Sequence, residues 1–213
     1  MCWEGNFLCP VTAGEPLSFC CGACYSRFMY TCANNVLAPL PELAGGTRYT
    51  LTASNPQVPA VDGQPVTACG QHWTVGGRTC AYCPDVVQPN CPAGASTALV
   101  APGAMDAVVP GGQLFYLDPS GNVAYTQAHS AYIPAGSTVG GVTAYRGGGL
   151  VNLNSGGWGW VACPPRASGG GGPGWNLRAR NASNAASLAE CSAVNLRVNE
   201  LAPGTAAAAW QYT

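Results

Sequence analysis

The chain has 213 residues, a net charge of −1 and only 8% charged residues; it has no lysine, and its eight basic residues are arginines scattered from Arg27 to Arg197. A chain without a basic stripe cannot neutralise a phosphate backbone, which excludes a nucleic-acid binder, and no run of about 20 apolar residues is present to cross a bilayer as a helix. Hydrophobic residues reach 47%, yet there are only four phenylalanines and a single isoleucine, Ile133, so folding has to lean on more than a large aliphatic core.

Residues 1 to about 40 are rich in cysteine and aromatics, with Cys2, Cys9, Cys20, Cys21, Cys24 and Cys32 closely spaced. Six further cysteines follow: Cys69, Cys80, Cys83, Cys91, Cys163 and Cys191. An even set of this density reads as disulfides, each worth about 2–4 kcal/mol and persisting only in oxidising compartments. The chain is therefore expected outside the cell. Met1-Cys2-Trp3-Glu4 has neither a basic n-region nor an apolar run, so the sequence reads as a mature or trimmed chain.

The stretch from Pro39 to Gly46 holds two prolines and two glycines and predicts a linker, taken as residues 41–46, between a module at 1–40 and a domain at 47–213. From Thr47 onward short β-type segments alternate with Gly and Pro: Arg48–Thr52, Gln71–Val75, Leu114–Leu117 and Asn122–Thr126. Asp118-Pro119-Ser120-Gly121 predicts a type I turn joining the last two in a hairpin. Helix is expected only at Ala185–Cys191. The predicted class is mostly β: a small disulfide-rich N-terminal module, then an antiparallel sandwich or barrel.

Several motifs are set aside. Gly147-Gly148-Gly149 and the run from Gly169 to Gly172 lack the strand–loop–helix context and the lysine of a phosphate loop, and read as loop glycines. Cys21-Gly22-Ala23-Cys24 and Cys80-Ala81-Tyr82-Cys83 lie much farther apart than the roughly 15–20 residues of paired zinc knuckles, and no βαβ pattern suggests redox work. No metal and no cofactor are expected. His72 and His129 are expected to be structural and hydrogen-bonded; His129 and Ser130, as strand neighbours, would point to opposite faces. The nine acids are dispersed, with Asp118 and Asp62 read as turn residues, so no carboxylate pair for glycoside hydrolysis stands out. Asn181-Ala182-Ser183 is a sequon for N-glycosylation.

The aromatic set Trp3, Phe7, Tyr25, Phe28 and Tyr30 carries the most suggestive chemistry. Aromatic faces stack on the C–H face of a glucose ring while polar side chains bond its hydroxyls, and Glu4, Asn6, Arg27 and Asn34 are close in sequence. The same rings could instead fill a miniature core between disulfides, and the residues alone leave both readings open.

Two resemblances bear on that choice. Cys2-Trp3-Glu4-Gly5-Asn6-Phe7-Leu8-Cys9-Pro10, then Cys21-Gly22-Ala23-Cys24-Tyr25 and Tyr30-Thr31-Cys32, resemble the family 52 carbohydrate-binding modules, which implies β-1,3-glucan as ligand; Cys20 is an additional cysteine beside Cys21. Gly70-Gln71-His72-Trp73, Tyr82-Cys83-Pro84, Cys91-Pro92-Ala93-Gly94, Tyr125-Thr126-Gln127-Ala128-His129 and Ala209-Trp210-Gln211-Tyr212 resemble the PhiA-type fungal cell-wall proteins. That resemblance implies an extracellular wall protein without enzymatic activity, and pairs Cys83 with Cys91 and Cys163 with Cys191. Cys69 and Cys80, in strand-like surroundings, are expected to bridge each other. The leading expectation is a non-catalytic wall protein held by β-1,3-glucan. Its rivals are a self-associating fibre or coat subunit, motivated by Cys20 and the tail Ala206–Tyr212, and a β-glucan hydrolase.

Overall fold

Strand alternation builds the core. In the computed structural model, which describes residues 2–4, 7–152, 159–165 and 174–213, the strand Arg48–Ser54 turns Tyr49, Leu51 and Ala53 inward. The nine-residue strand Ser192–Glu200 pairs with it antiparallel and turns in Val194, Leu196 and Val198. Next across the sheet come Gly159–Cys163, Trp175–Arg180, His72–Val75, Val123–Tyr125, Phe115–Leu117 and Thr138–Val139. On the other flank lie Leu99–Val100 and Ala104–Met105, and Val66–Cys69 pairs with His72–Val75. All of these pairings are antiparallel, and eleven strands form one sheet curled around its apolar side. A single bridge, Ala104 to Leu114, brings the two ends near each other without closing a barrel.

The predicted hairpin forms between Phe115–Leu117 and Val123–Tyr125. Gly121 N–H donates to Asp118 O at 2.9 Å, and the Asp118 carboxylate accepts from the backbone N–H groups of Ser120 and Asn122. Burial pushes the Asp118 carboxyl up, but these bonds and those from the Asn122 and Ser120 side chains outweigh it and hold the group below its ordinary range. In place of the helix expected at Ala185–Cys191 there is one 3-10 turn, Ala186–Leu188. Leu188 is the only large apolar residue of that segment, so no amphipathic face exists to stabilise a longer helix. The histidines also differ from expectation. His72 is exposed on its strand, whereas His129 lies in a turn at φ 61°, and neither imidazole makes a hydrogen bond among the described residues.

Aromatic rings replace the missing aliphatics. Trp73 meets Phe115 edge-on at 5.7 Å and Tyr125 at 6.3 Å, and Tyr125 meets Tyr212 at 6.3 Å. Tyr212 comes from the short strand Gln211–Tyr212, which pairs with Ala81–Tyr82. The tail seen as a possible strand for a neighbouring chain is thus consumed inside its own fold, with Tyr212 only 1% exposed. Its hydroxyl accepts from Ala98 N–H. The Gln113 side chain, equally buried, accepts from Tyr212 N–H at 2.8 Å and donates to the carbonyls of Tyr212 at 3.0 Å and Thr126 at 2.8 Å. Asp106 accepts from Ala208 N–H and pairs with Arg48 at 2.9 Å.

Bridges join Cys69–Cys80, Cys83–Cys91 and Cys163–Cys191, the three pairs named from the sequence. Neither Cys-x-x-Cys pair bonds within itself, and among the described residues no cluster of His, Cys, Asp and Glu could hold a metal.

Gln113→Ala leaves Tyr212 N–H and two buried carbonyls without partners, and is expected to cost about 3–5 kcal/mol, read as a lower urea midpoint in tryptophan-monitored unfolding; a loss under about 1 kcal/mol would contradict the clamp. Burial pushes Tyr125 and Tyr212 up to about 12 from an ordinary value near 10. Their contribution to stability is full below pH 10 and is lost as pH rises toward 12, so tyrosinate absorbance should rise for these rings only together with alkaline unfolding, and Tyr212→Phe should blunt that alkaline limb.

Candidate functional site

The N-terminal forty residues form a chain of tight hairpins: Cys2–Glu4 with Phe7–Cys9, Val11–Thr12 with Glu15–Pro16, Ser18–Cys20 with Ala23–Tyr25, and Tyr30–Ala33 with Val36–Pro39. Three of the turns are two-residue loops with φ > 0 at both positions: Ala13-Gly14, Cys21-Gly22 and Asn34-Asn35. That geometry matches the twist of the flanking strands, and it suits Asn and Gly far better than Ala or Cys. Hairpins this short are marginal alone, and the staples between them are Cys9–Cys24 and Cys20–Cys32. Cys9 and Cys20 are buried, so the bridges also serve as the small core of the module. Cys20, the additional cysteine considered for a bond to another chain, is thereby spent within the chain; Cys21 is the exposed one and has no disulfide.

Phe28 is the hinge of the arrangement. It is 7% exposed, its ring lies beneath the Arg197 guanidinium at 5.1 Å, and its carbonyl accepts from Gly149 N–H at 2.9 Å. A Cβ on Gly148 would stand 2.5 Å from Phe28 O, and one on Gly149 would stand 2.8 Å from the Phe28 ring. The glycines at 148 and 149, read from sequence as loop residues, are small because the module seats there. Glu15 adds a second contact, accepting from Ser54 Oγ and facing Arg197 Nη2 at 3.7 Å. The segment expected to be a linker continues the seam. Leu43 N–H donates to Ala144 O, Arg146 N–H donates to Pro41 O, and Leu43 is buried in the main core. One apolar residue in a Pro- and Gly-rich stretch is enough to pin it.

This geometry sorts the aromatic set. Phe28, expected among the sugar-stacking rings, is instead buried against the sheet with Arg197 over its ring. Tyr30 is half-buried beside Tyr145, whose hydroxyl is held above its ordinary range by burial and by the nearby Glu42 and Tyr30. Tyr25 is half-buried at the end of its hairpin, Arg27 Nε donates to Ser18 Oγ, and Asn34 is exposed at its turn. Asn6 and the side chains of Trp3, Glu4 and Phe7 lie outside the described residues, as does the glycine run at 169–172. The signal that could have separated Phe28 from the rest is the pair of adjacent glycines far away in sequence, but a sequence does not say which side chain a glycine makes room for.

Residues 1–37 match a family profile described as carbohydrate binding, and residues 49–213 match that of the PhiA-like secreted proteins. The chain belongs to the PhiA-like secreted proteins. An uncharacterized secreted protein of Arthroderma benhamiae is 43% identical to this PhiA-like chain over an alignment of 122 residues that covers 54% of the chain and 60% of that relative. The chain thus spans less than two thirds of the relative's length. No solved structure matches it. It is a secreted protein in which a carbohydrate-binding domain is seated on a PhiA-like sheet.

Phe28→Ala empties the seat under Arg197 and is expected to destabilise the chain by about 3 kcal/mol. Limited proteolysis should then cut within residues 37–47 much faster than in the parent chain, whereas an unchanged cleavage rate would show that the seam holds without the ring.

Proposed function

We propose that the protein is a non-catalytic component of the extracellular cell wall, held to β-1,3-glucan by its N-terminal module. The observation that carries this reading is the carbohydrate-binding match at residues 1–37 on a module whose far side is seated on the sheet through Phe28 and Glu15. Seating on one side leaves the glucan to the rest of the module, for which the sequence offers the rings of Trp3, Phe7 and Tyr25 as stacking faces and Glu4, Asn6 and Asn34 as hydrogen-bonding groups. Rings held by short stapled hairpins lose little entropy on binding, which favours a preformed platform.

The acids support a binding role over hydrolysis. Glu15 is engaged by Ser54 and Arg197, Asp62 accepts from Asn55 N–H, Asp106 pairs with Arg48, Asp118 shapes its turn and Glu200 faces Arg146 at 3.2 Å. Each of these has a structural task, whereas glycoside hydrolysis needs two carboxylates facing one another across a cleft. Asn181 fits a glycan attachment point: its Oδ1 accepts from Ser183 N–H, Ser183 Oγ and Asn184 N–H, while Nδ2, the atom that would carry the sugar, makes no hydrogen bond among the described residues.

Retention of the pure protein on insoluble β-1,3-glucan, with cellulose and chitin alongside, tests the anchor. Selective retention on the glucan, reduced about tenfold or more by Trp3→Ala and by Tyr25→Ala, is expected. Equal loss on all three polymers, or retention untouched by both substitutions, would refute anchoring by the module.

A further inference from the structure

The main sheet carries a second feature on its outer face, away from the residues of the module. A groove of about 890 Å³ runs over the strands His72–Val75, Val123–Tyr125 and Trp175–Arg180, walled by residues 186–191. Alternation sets its floor. Trp73, Val123 and Leu177 enter the core, so their strand neighbours His72, Asn122, Asn176 and Arg178 point outward. Register brings these together, since His72 lies opposite Ala124, Thr74 opposite Asn176 and Asn122 opposite Arg178. The wall would be a loose loop without the Cys163–Cys191 bridge, which ties it to the strand next to the floor, and without Leu188, which is buried beneath it. The far end is made rigid by the hairpin turn. Arg178 donates to the carbonyls of Ser120 and Gly121, Asn184 Nδ2 donates to those of Ser120 and Ala179, and a Cβ on Gly121 would stand 2.2 Å from Ala179 O. A disulfide, a buried leucine and a turn that admits only glycine thus hold open a concavity whose size lies within the range of small-ligand sites, roughly 300–1,000 Å³.

The chemistry of the lining selects the ligand. Among the described residues of the groove Arg178 is the only strong cation and Glu190 the only carboxylate, so these two balance in net charge. The Arg178 fork already donates to two backbone carbonyls, which removes the free bidentate donor that a phosphate or carboxylate ligand would seek. The apolar part combines Pro164, Pro165 and two alanines with Trp73, Val123, Leu177 and Leu188, and these last four are themselves buried, so little apolar surface is left for a lipid or an aromatic ligand. What remains is a set of uncommitted polar groups: the Asn176 amide, the His72 imidazole and the Glu190 carboxylate make no hydrogen bond to the protein among the described residues. Amide, imidazole and carboxylate groups around small C–H surfaces answer a neutral ligand that alternates hydroxyls with C–H faces. One carboxylate cannot perform two-carboxylate glycoside hydrolysis, so such a ligand would be held and released unchanged.

We infer that this groove is a second saccharide site, on the PhiA-like sheet itself, which takes a segment of uncharged oligosaccharide. The site goes beyond the anchoring role of the module and stands or falls separately from it. With both sites loaded, the chain holds two polysaccharide segments at once, and even weak single sites then give tight retention through their high effective concentration.

The test is a titration of the ¹⁵N-labelled full chain with laminarihexaose, cellohexaose and chitohexaose, following backbone and side-chain amide resonances. At least one of these sugars is expected to shift the Asn176 side-chain amide and the backbone amides of Asn122 and Ser187. Asn176→Ala and Glu190→Gln should each weaken that response about tenfold, the upper end of what one lost hydrogen bond accounts for, with thermal midpoints unchanged. Tyr25→Ala should leave it intact while lowering retention on insoluble glucan, which separates failure of this site from failure of the module. If Asn176→Ala fails to fold, His72→Ala reads the same loss from the exposed edge of the floor. Shifts confined to residues 1–40, no shift at millimolar sugar, or a groove response indifferent to these substitutions would overturn the inference.

Discussion

A single buried glutamine closes this fold. Gln113 offers its carboxamide to Tyr212 as a strand would offer a peptide unit, accepting from the N–H and donating to the carbonyl, and it satisfies Thr126 O with the same nitrogen. Buried peptide groups must be paired, and the sheet supplies no full strand beside Tyr212 at that point. With the clamp in place, the Tyr212 ring completes the edge-to-face run from Phe115 through Trp73 and Tyr125. A chain with one isoleucine depends on that aromatic run for its interior. The rest of the sheet, and the surfaces displayed on it, rest on the core so closed.

Disulfides and aromatics divide the labour that aliphatic residues perform elsewhere. In the module the sulfurs are the core, whereas in the sheet the bridges lie at its margins, tying turns and loops to strands. Few charges are needed for either, and those present are placed: Asp106 and Arg48 steady the approach to the last strand, and Arg197 serves the seat of the module.

Much of this was legible beforehand. The hairpin turn at Asp118-Pro119-Ser120-Gly121 announces itself because proline and glycine sit where their backbone preferences are needed. The Cys69–Cys80 pairing follows from a cysteine at each end of one hairpin and its exit. The sheet order was hidden, because Ser192–Glu200 pairs with Arg48–Ser54 across most of the chain and nothing local signals such a partner. The burial of Leu43 in the main core was not legible, because composition at 41–46 speaks only of prolines and glycines. Within the aromatic set, local sequence could not single out Phe28 as the ring that docks, since its seat is made by Arg197 and two glycines far along the chain. The groove was equally silent, assembled from single outward residues of separate strands.

The seat under Arg197 has a mechanical meaning. Within residues 9–32 two covalent bridges resist extension, and the sheet resists through its long antiparallel pairings. Between them the load path consists of a ring under a guanidinium, one carboxylate contact and a few backbone hydrogen bonds along 41–46. A tug on the module therefore bears on this seam, where no covalent bridge and no long strand pairing shares the load.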